Sequence, residues 1–327
     1  MRFFRLAVAV GVLSLGACAD QVTPTTPSDA PAFATRRTFM GEDAPVSVMG
    51  LNPYGGRAVS GDVSVNASGM IYHGGPILPV TKVVAIYWAT SPIYAGGPAA
   101  GTKGTGAQDG SLIGHFLRNF GGSPYFNINT TYYDNSGPVG NSVQYTGFWA
   151  NNTSVPKTTA RVSNRTIQSM IVSGFTSGKY TYDPQTIYVV FTAGKTNLGG
   201  GFGTQYCAYH GAFTWNGQTV IYAAQPYNNA YPSGCSTQQA SPNNDPAADR
   251  EINTLAHEIE EAATDPRLNA WYDAQGAENA DKCAWTFGTT YTTGNGGVAN
   301  MNLGGKDFLI QRNYSNAGNG GCFLSYP

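Results

Sequence analysis

Ten of the chain's nineteen carboxylates, including five of its six glutamates, fall between Asp245 and Asp281. Only Arg250, Arg267 and Lys282 lie in or beside that stretch to offset them. Like charges crowded this closely repel one another unless a cation or buried hydrogen bonds hold them. Any fold open to this chain must therefore supply one or the other here.

The stretch reads as a helix. Asp245 can cap its start, Pro246 suits the first turn, and Pro266 disfavours helix at Asp265, which leaves roughly nineteen helical residues. Ile252, Leu255, Ala256, Ile259, Ala262 and Ala263 recur at helical spacing and form one apolar stripe. Opposite them lie Arg250, His257 and Glu261. The four-residue spacing sets the His257 imidazole and the Glu261 carboxylate on adjacent turns of one face, with Glu258 rotated about 100° to the side. This is the geometry of an H-E-x-x-H zinc helix with glutamate in the place of the second histidine. There, two side chains hold the ion and the intervening glutamate takes a proton from metal-bound water. The plainer reading is an amphipathic helix whose polar face meets water. The further carboxylates Glu278 and Asp281, in so uncharged a protein, point towards metal.

At the start of the chain, Arg2 and Arg5 precede the apolar run Leu6 to Leu15, which reads as a secretory signal over residues 1–17. Leu15-Gly16-Ala17-Cys18 has the form of a bacterial lipobox, so Cys18 is expected to be lipidated and to anchor the mature protein to a membrane. The run is too short to span one. The other cysteines, Cys207, Cys235, Cys283 and Cys322, form an even set, as an exported disulfide-bonded chain would have. Of three pairings, Cys207 with Cys235 and Cys283 with Cys322 interlock least and are preferred. Residues 18–68 read as the lipidated cysteine and a flexible linker rich in Pro, Thr, Ser, Ala and Gly. Residues 69–327 read as a single domain.

Within that domain, Val83 to Trp88 and Ile187 to Phe191 are apolar runs expected as buried strands. Phe126 to Tyr133 and Val143 to Trp149 alternate as half-buried strands. Leu112, Ile113, Phe116, Leu117 and Phe120 give a helical stripe ending at Gly121-Gly122. A second helix starts at Ser163, carries Ile167, Met170 and Ile171, and ends at Gly174. Tyr209 to Trp215 and Gln218 to Ala224 flank Asn216-Gly217, a strong hairpin signal. This order predicts a layered α/β (α+β) fold: a mixed sheet with packed helices, the acidic metalloprotease-like HExxE helix laid on it by its apolar stripe, and two disulfides.

Net charge of −1 with 11% charged residues excludes nucleic acid as an expected partner. Gly194-Lys195-Thr196 follows a strand, but Val189 stands where a phosphate loop needs its first glycine, so no nucleotide is expected. His73-Gly74-Gly75 has no G-x-S-x-G to serve and reads as a turn. His115 falls on the side of its helix away from the apolar stripe and is expected to be exposed. His210, beside Cys207, is either a structural histidine or a group that supplies a ligand or polarises a substrate carbonyl.

Taken together, Tyr72-His73-Gly74-Gly75-Pro76, Cys207-x-x-His210-Gly211, His257-Glu258-x-x-Glu261-Ala262-Ala263-Thr264-Asp265-Pro266, Asn269-Ala270-Trp271-Tyr272 and Glu278-x-x-Asp281-x-Cys283 resemble the EXORDIUM-like, phosphate-induced-protein family of plants and bacteria. The resemblance covers about residues 70 to 327. It implies an exported, cell-wall-associated protein linked in plants to growth and cell expansion, and gives no biochemical activity. Plant members carry asparagine where this chain has Asp265, which argues against Asp265 as an essential ligand.

Two functions are expected from different classes. One is a peptidase-like metallohydrolase in which His257 and Glu261 bind zinc, Asp281 or Glu278 is the third ligand, and Glu258 is the general base with His210 beside the reaction. So anionic a donor set could equally take calcium or manganese. The substrate would be a peptide or a wall polymer. The other is a noncatalytic exported protein that binds wall carbohydrate or a partner, with the acidic cluster structural or calcium-filled and aromatics such as Trp149, Trp215 and Trp271 stacking on sugars.

Overall fold

The computed structural model describes residues 46–58, 69–157, 159–199 and 201–327 of the 327-residue chain. The expected signal segment 1–17, Cys18 and most of the expected linker lie outside these residues. Seven strands make the main sheet: β1 (Val46–Gly50), β2 (Thr81–Trp88), β3 (Lys103–Gly104), β4 (Val143–Asn151), β5 (Thr186–Thr192), β6 (Tyr206–Trp215) and β7 (Gln218–Gln225). Their order is β1-β6-β7-β5-β2-β4-β3. The central pairs β7/β5, β5/β2 and β2/β4 are parallel, and β1/β6, β6/β7 and β4/β3 are antiparallel. The fold is therefore mixed α+β, as the element order implies. Asn216 (φ 50°) and Gly217 (φ 77°) turn β6 into β7 with two positive φ values, the requirement of a type I′ hairpin.

The apolar runs are buried on both faces because the sheet is covered on both sides. Val83, Ala85 and Tyr87 of β2 point into one core, and Val84, Ile86 and Trp88 into the other. Helix α2 (Asn164–Thr176) covers the second face with Ile167, Met170 and Ile171. Helices α1 (Leu112–Phe120) and α3 (Pro246–Thr264) cover the first. Ser111 caps α1 by accepting from Gly114 N–H, and Asp245 caps α3 by accepting from Ala248 N–H. All six stripe residues of α3, Ile252 through Ala263, are fully buried in the first core.

Four local expectations are corrected. Phe126–Thr131 is a 3₁₀ helix, not a strand: Phe126 and Ile128 are buried in the first core, and the Thr130 and Thr131 hydroxyls donate to carbonyls three residues back. Helix α2 runs two residues past Gly174, which sits inside it because the Tyr180 ring leaves no room for a Cβ there. His115 is half-buried, with Nε2 3.1 Å from the Leu303 carbonyl and its ring beside Phe308. Val46–Gly50, inside the span read as linker, is the edge strand β1, and Val46–Met49 are buried against β6. Alternation over so short a segment gave no strand signal beside its Pro- and Gly-rich neighbours.

From residue 266 the chain forms short two-stranded pieces, among them Met301–Leu303 with Lys306–Phe308 and Asn313–Ser315 with Gly321–Phe323. This segment closes over the polar side of α3. Disulfides join Cys207 to Cys235 and Cys283 to Cys322, the preferred pairing. Among the described residues no helix is long and apolar enough to cross a membrane.

Candidate metal centre

Helix α3 does not present its polar face to water. Every residue from Glu251 to Thr264 is buried, and His257, Glu258, Glu260 and Glu261 are each 0% exposed. Sequence periodicity identifies the face that meets the sheet, but not the second layer that covers the opposite face.

Two elements converge on α3. From the sheet, β6 brings His210, flanked by Ala223 on β7 and Ser47 on β1. These small neighbours leave space above the imidazole for the side chains of α3. From the closing segment, the 3₁₀ turn Asp281–Cys283 brings Asp281, and the residues before it bring Glu278. Cys207 and Cys283 tie two of these donor-bearing elements down within three residues of His210 and Asp281.

His257 Nε2 lies 3.0 Å from Glu261 Oε1 and 3.6 Å from Asp281 Oδ1. His210 Nδ1 lies 3.2 Å from Glu258 Oε2 and 3.5 Å from Glu261 Oε2, and its Nε2 lies 3.7 Å from Glu278 Oε1. The structure thus brings together all six residues singled out from sequence: His210, His257, Glu258, Glu261, Glu278 and Asp281. They fall into two donor groups, His257/Glu261/Asp281 and His210/Glu258/Glu261, each with ligand atoms within 4.8 Å of one another. Glu278 stands on the far side of the His210 ring, outside both groups.

Two backbone contacts fix the geometry. Asp281 N–H donates to Glu261 Oε1 at 3.0 Å, and Glu278 N–H donates to Asp281 Oδ2 at 3.3 Å. Gln311 is the residue that sequence reasoning missed. Its Nε2 donates to the Ala280 carbonyl and lies 3.1 Å from His257 Nδ1, which turns Nε2 of the ring towards Glu261 and Asp281. A glutamine 54 residues beyond the histidine carries no local pattern that would reveal this contact.

Burial alone would lower the His257 pKa, but the Glu261 carboxylate outweighs it and the imidazole is held up at about 9. Burial likewise works against charge on Glu261, but His257 and His210 hold that carboxyl down at about 2. Glu278 and Asp281 are pushed well up, first by burial and then by neighbouring carboxylates, with the nearby histidines opposing. No lysine or arginine pairs with the cluster among the described residues; Lys282 turns to Asp273 at 3.1 Å instead. Among the described residues, Glu258 Oε1, Glu261 Oε2 and Asp281 Oδ1 have no hydrogen-bond partner. Buried polar atoms are normally satisfied. Unsatisfied oxygens and imidazole nitrogens converging within ligand distance of each other fit a divalent cation.

The remaining buried acids of α3 and its C-terminus make local hydrogen bonds, although Glu260 Oε1, outside both donor groups, also has no hydrogen-bond partner among the described residues. Glu260 accepts from Tyr125, Glu251 from Asn228, and Asp265 from the backbone N–H groups of Asn269 and Ala270. Asp265 therefore terminates the helix and orders the following turn, a role open to asparagine as well.

No curated protein and no solved structure gives a significant match to the chain. The family model described as the phosphate-induced protein 1 conserved region matches residues 123–311, more than half of the chain, a span that includes His210, the whole of α3, Glu278, Asp281 and Gln311. The chain belongs to the phosphate-induced protein 1 family.

Proposed function

We propose that this protein is an exported, lipid-anchored binding protein whose fold is locked by a divalent metal ion held on the HExxE helix by His257, Glu261 and Asp281. The two disulfides mark an exported chain. The observation that carries the metal reading, and its structural character, is that the donors are wholly enclosed while Glu261 and Asp281 each keep one oxygen without a hydrogen-bond partner among the described residues. Structural ions sit in closed protein cages, whereas catalytic ones keep a position open to substrate. An ion here would tie α3 to the 278–283 turn, with the Cys283–Cys322 bridge beside it.

The binding face in this reading is the aromatic group at the small sheet formed by Ile71–Tyr72 and Trp271–Tyr272. His73 stacks on Tyr272 with ring centroids 3.5 Å apart, and Tyr133, 53% exposed, packs beside Tyr72 and Trp271. The exposed rings of His73 and Tyr133 and the half-buried ring of Tyr272 suit the faces of wall sugars, whereas Trp271 and Trp149, 3% and 5% exposed, are core residues and not the stacking surfaces expected from sequence.

A metal-dependent hydrolase is the second reading. It is favoured by one feature: His257, Glu261 and Asp281 form a three-ligand set, with Glu258 next to His257 in the position of a general base. The experiment that separates the two is a thermal melt with and without chelator, run beside peptide and wall-polymer hydrolysis assays on wild type and Glu258→Gln. A chelator-dependent melt with no turnover supports the structural reading. Turnover that Glu258→Gln abolishes while metal content is kept supports the hydrolase. Protein that takes up no divalent ion refutes both.

A further inference from the structure

We infer that the centre holds two divalent cations, bridged by the Glu261 carboxylate, and that Glu258 is a ligand of the second. This rests on the metal reading above and extends it. Glu261 is the one residue common to both donor groups. Its two oxygens point to different histidines: Oε1 lies 3.0 Å from His257 Nε2, and Oε2 lies 3.5 Å from His210 Nδ1. A single ion between His257 and Asp281 leaves Glu261 Oε2 and Glu258 Oε1 buried without a hydrogen-bond partner among the described residues. A second ion among His210 Nδ1, Glu258 and Glu261 Oε2 satisfies the second group as the first ion satisfies the first.

Glu278 then has a role of its own. It faces His210 Nε2 from the side away from the ligand atoms, where a carboxylate commonly receives the second N–H of a metal-bound histidine.

The test is metal stoichiometry on the purified mature protein, reconstituted separately with excess Zn²⁺, Mn²⁺ and Ca²⁺, desalted and measured by mass spectrometry. Two ions per chain are expected with at least one of these metals. One ion per chain overturns this inference and leaves the metal reading standing; none overturns both. His210→Asn and Glu258→Gln should each reduce the content from two to one, and retention of two by Glu258→Gln overturns its assignment as a ligand. Should these variants fail to fold, wild-type protein loaded with Mn²⁺ decides by electron paramagnetic resonance. A spin-coupled pair is expected, and isolated six-line spectra at full loading overturn the bridged centre.

Discussion

Glu261 Oε1 stands 3.0 Å from Nε2 of His257, one helical turn earlier, and both side chains are completely enclosed. On an exposed helix such a pair contributes a few tenths of a kcal/mol. Inside the protein each member depends on the other and on whatever else neutralises the cluster, because removal of one partner leaves a buried charge uncompensated. Glu261→Gln should therefore abolish the part of the melting temperature that responds to chelator, and lower the stability of the metal-free protein by about 3–5 kcal/mol. Calorimetry with and without EDTA checks both, and an unchanged chelator response removes Glu261 from the ligand set.

Membrane attachment is expected to depend on Cys18. Cys18→Ser should release the protein from the membrane fraction without altering its fold, measured by fractionation and immunoblotting of an expressing bacterium. Equal membrane partitioning of variant and wild type refutes lipid anchoring.

The disulfides enclose sequence separations of 28 and 39 residues. Loops of that size correspond to about 3–4 kcal/mol each in the chain-entropy account. Replacing Cys283 and Cys322 by serine should also weaken metal retention, since Cys283 lies two residues from Asp281, while replacing Cys207 and Cys235 should mainly loosen β6. Chemical denaturation and metal analysis of the two double variants distinguish these effects.

Glu251 provides a pH test away from the metal donors. Burial raises its carboxyl to about 8, against the opposing Asn228 N–H bond at 3.0 Å. A folded-state pKa above the unfolded one means that the native state holds its proton more tightly. Its contribution is complete below about 4.5 and is lost as pH rises towards about 8. Chelated protein should lose melting temperature across this window, and Glu251→Gln should show a smaller decline. Identical pH profiles for the two proteins would show that Glu251 does not titrate there.

Asp109 is the acceptor for the Tyr87 and Tyr145 hydroxyls at 2.5 and 2.6 Å and for the Ser111 hydroxyl at 2.7 Å, beside the cap of α1. Asp109→Ala leaves the Tyr87 hydroxyl buried without an acceptor, and should cost about 2–4 kcal/mol by urea denaturation. A loss under 1 kcal/mol would mean that these groups find other partners.

Much of the fold is legible along the chain because its signals are local. Asp245 and Pro246 start α3 and Pro266 stops it; Asn216-Gly217 turns the hairpin; the apolar runs of β2 and β5 lie between the two layers. Backbone preference and side-chain periodicity act over a few residues, so the sequence alone determines these elements. It also nominates His210, His257, Glu258, Glu261, Glu278 and Asp281, through metal-helix spacing, the acidic run and a family resemblance. What it does not carry is their relation in space. The burial of α3 on its polar side, the place of Gln311 behind His257, the position of Glu278 beyond the His210 ring and the sharing of Glu261 between two histidines all arise where β6, α3 and the 278–283 turn meet. The contacts between these elements join residues 20 to 68 positions apart. Tertiary packing alone fixes them, because distance and solvent exclusion in the folded protein, not spacing along the chain, decide which charges must share a partner.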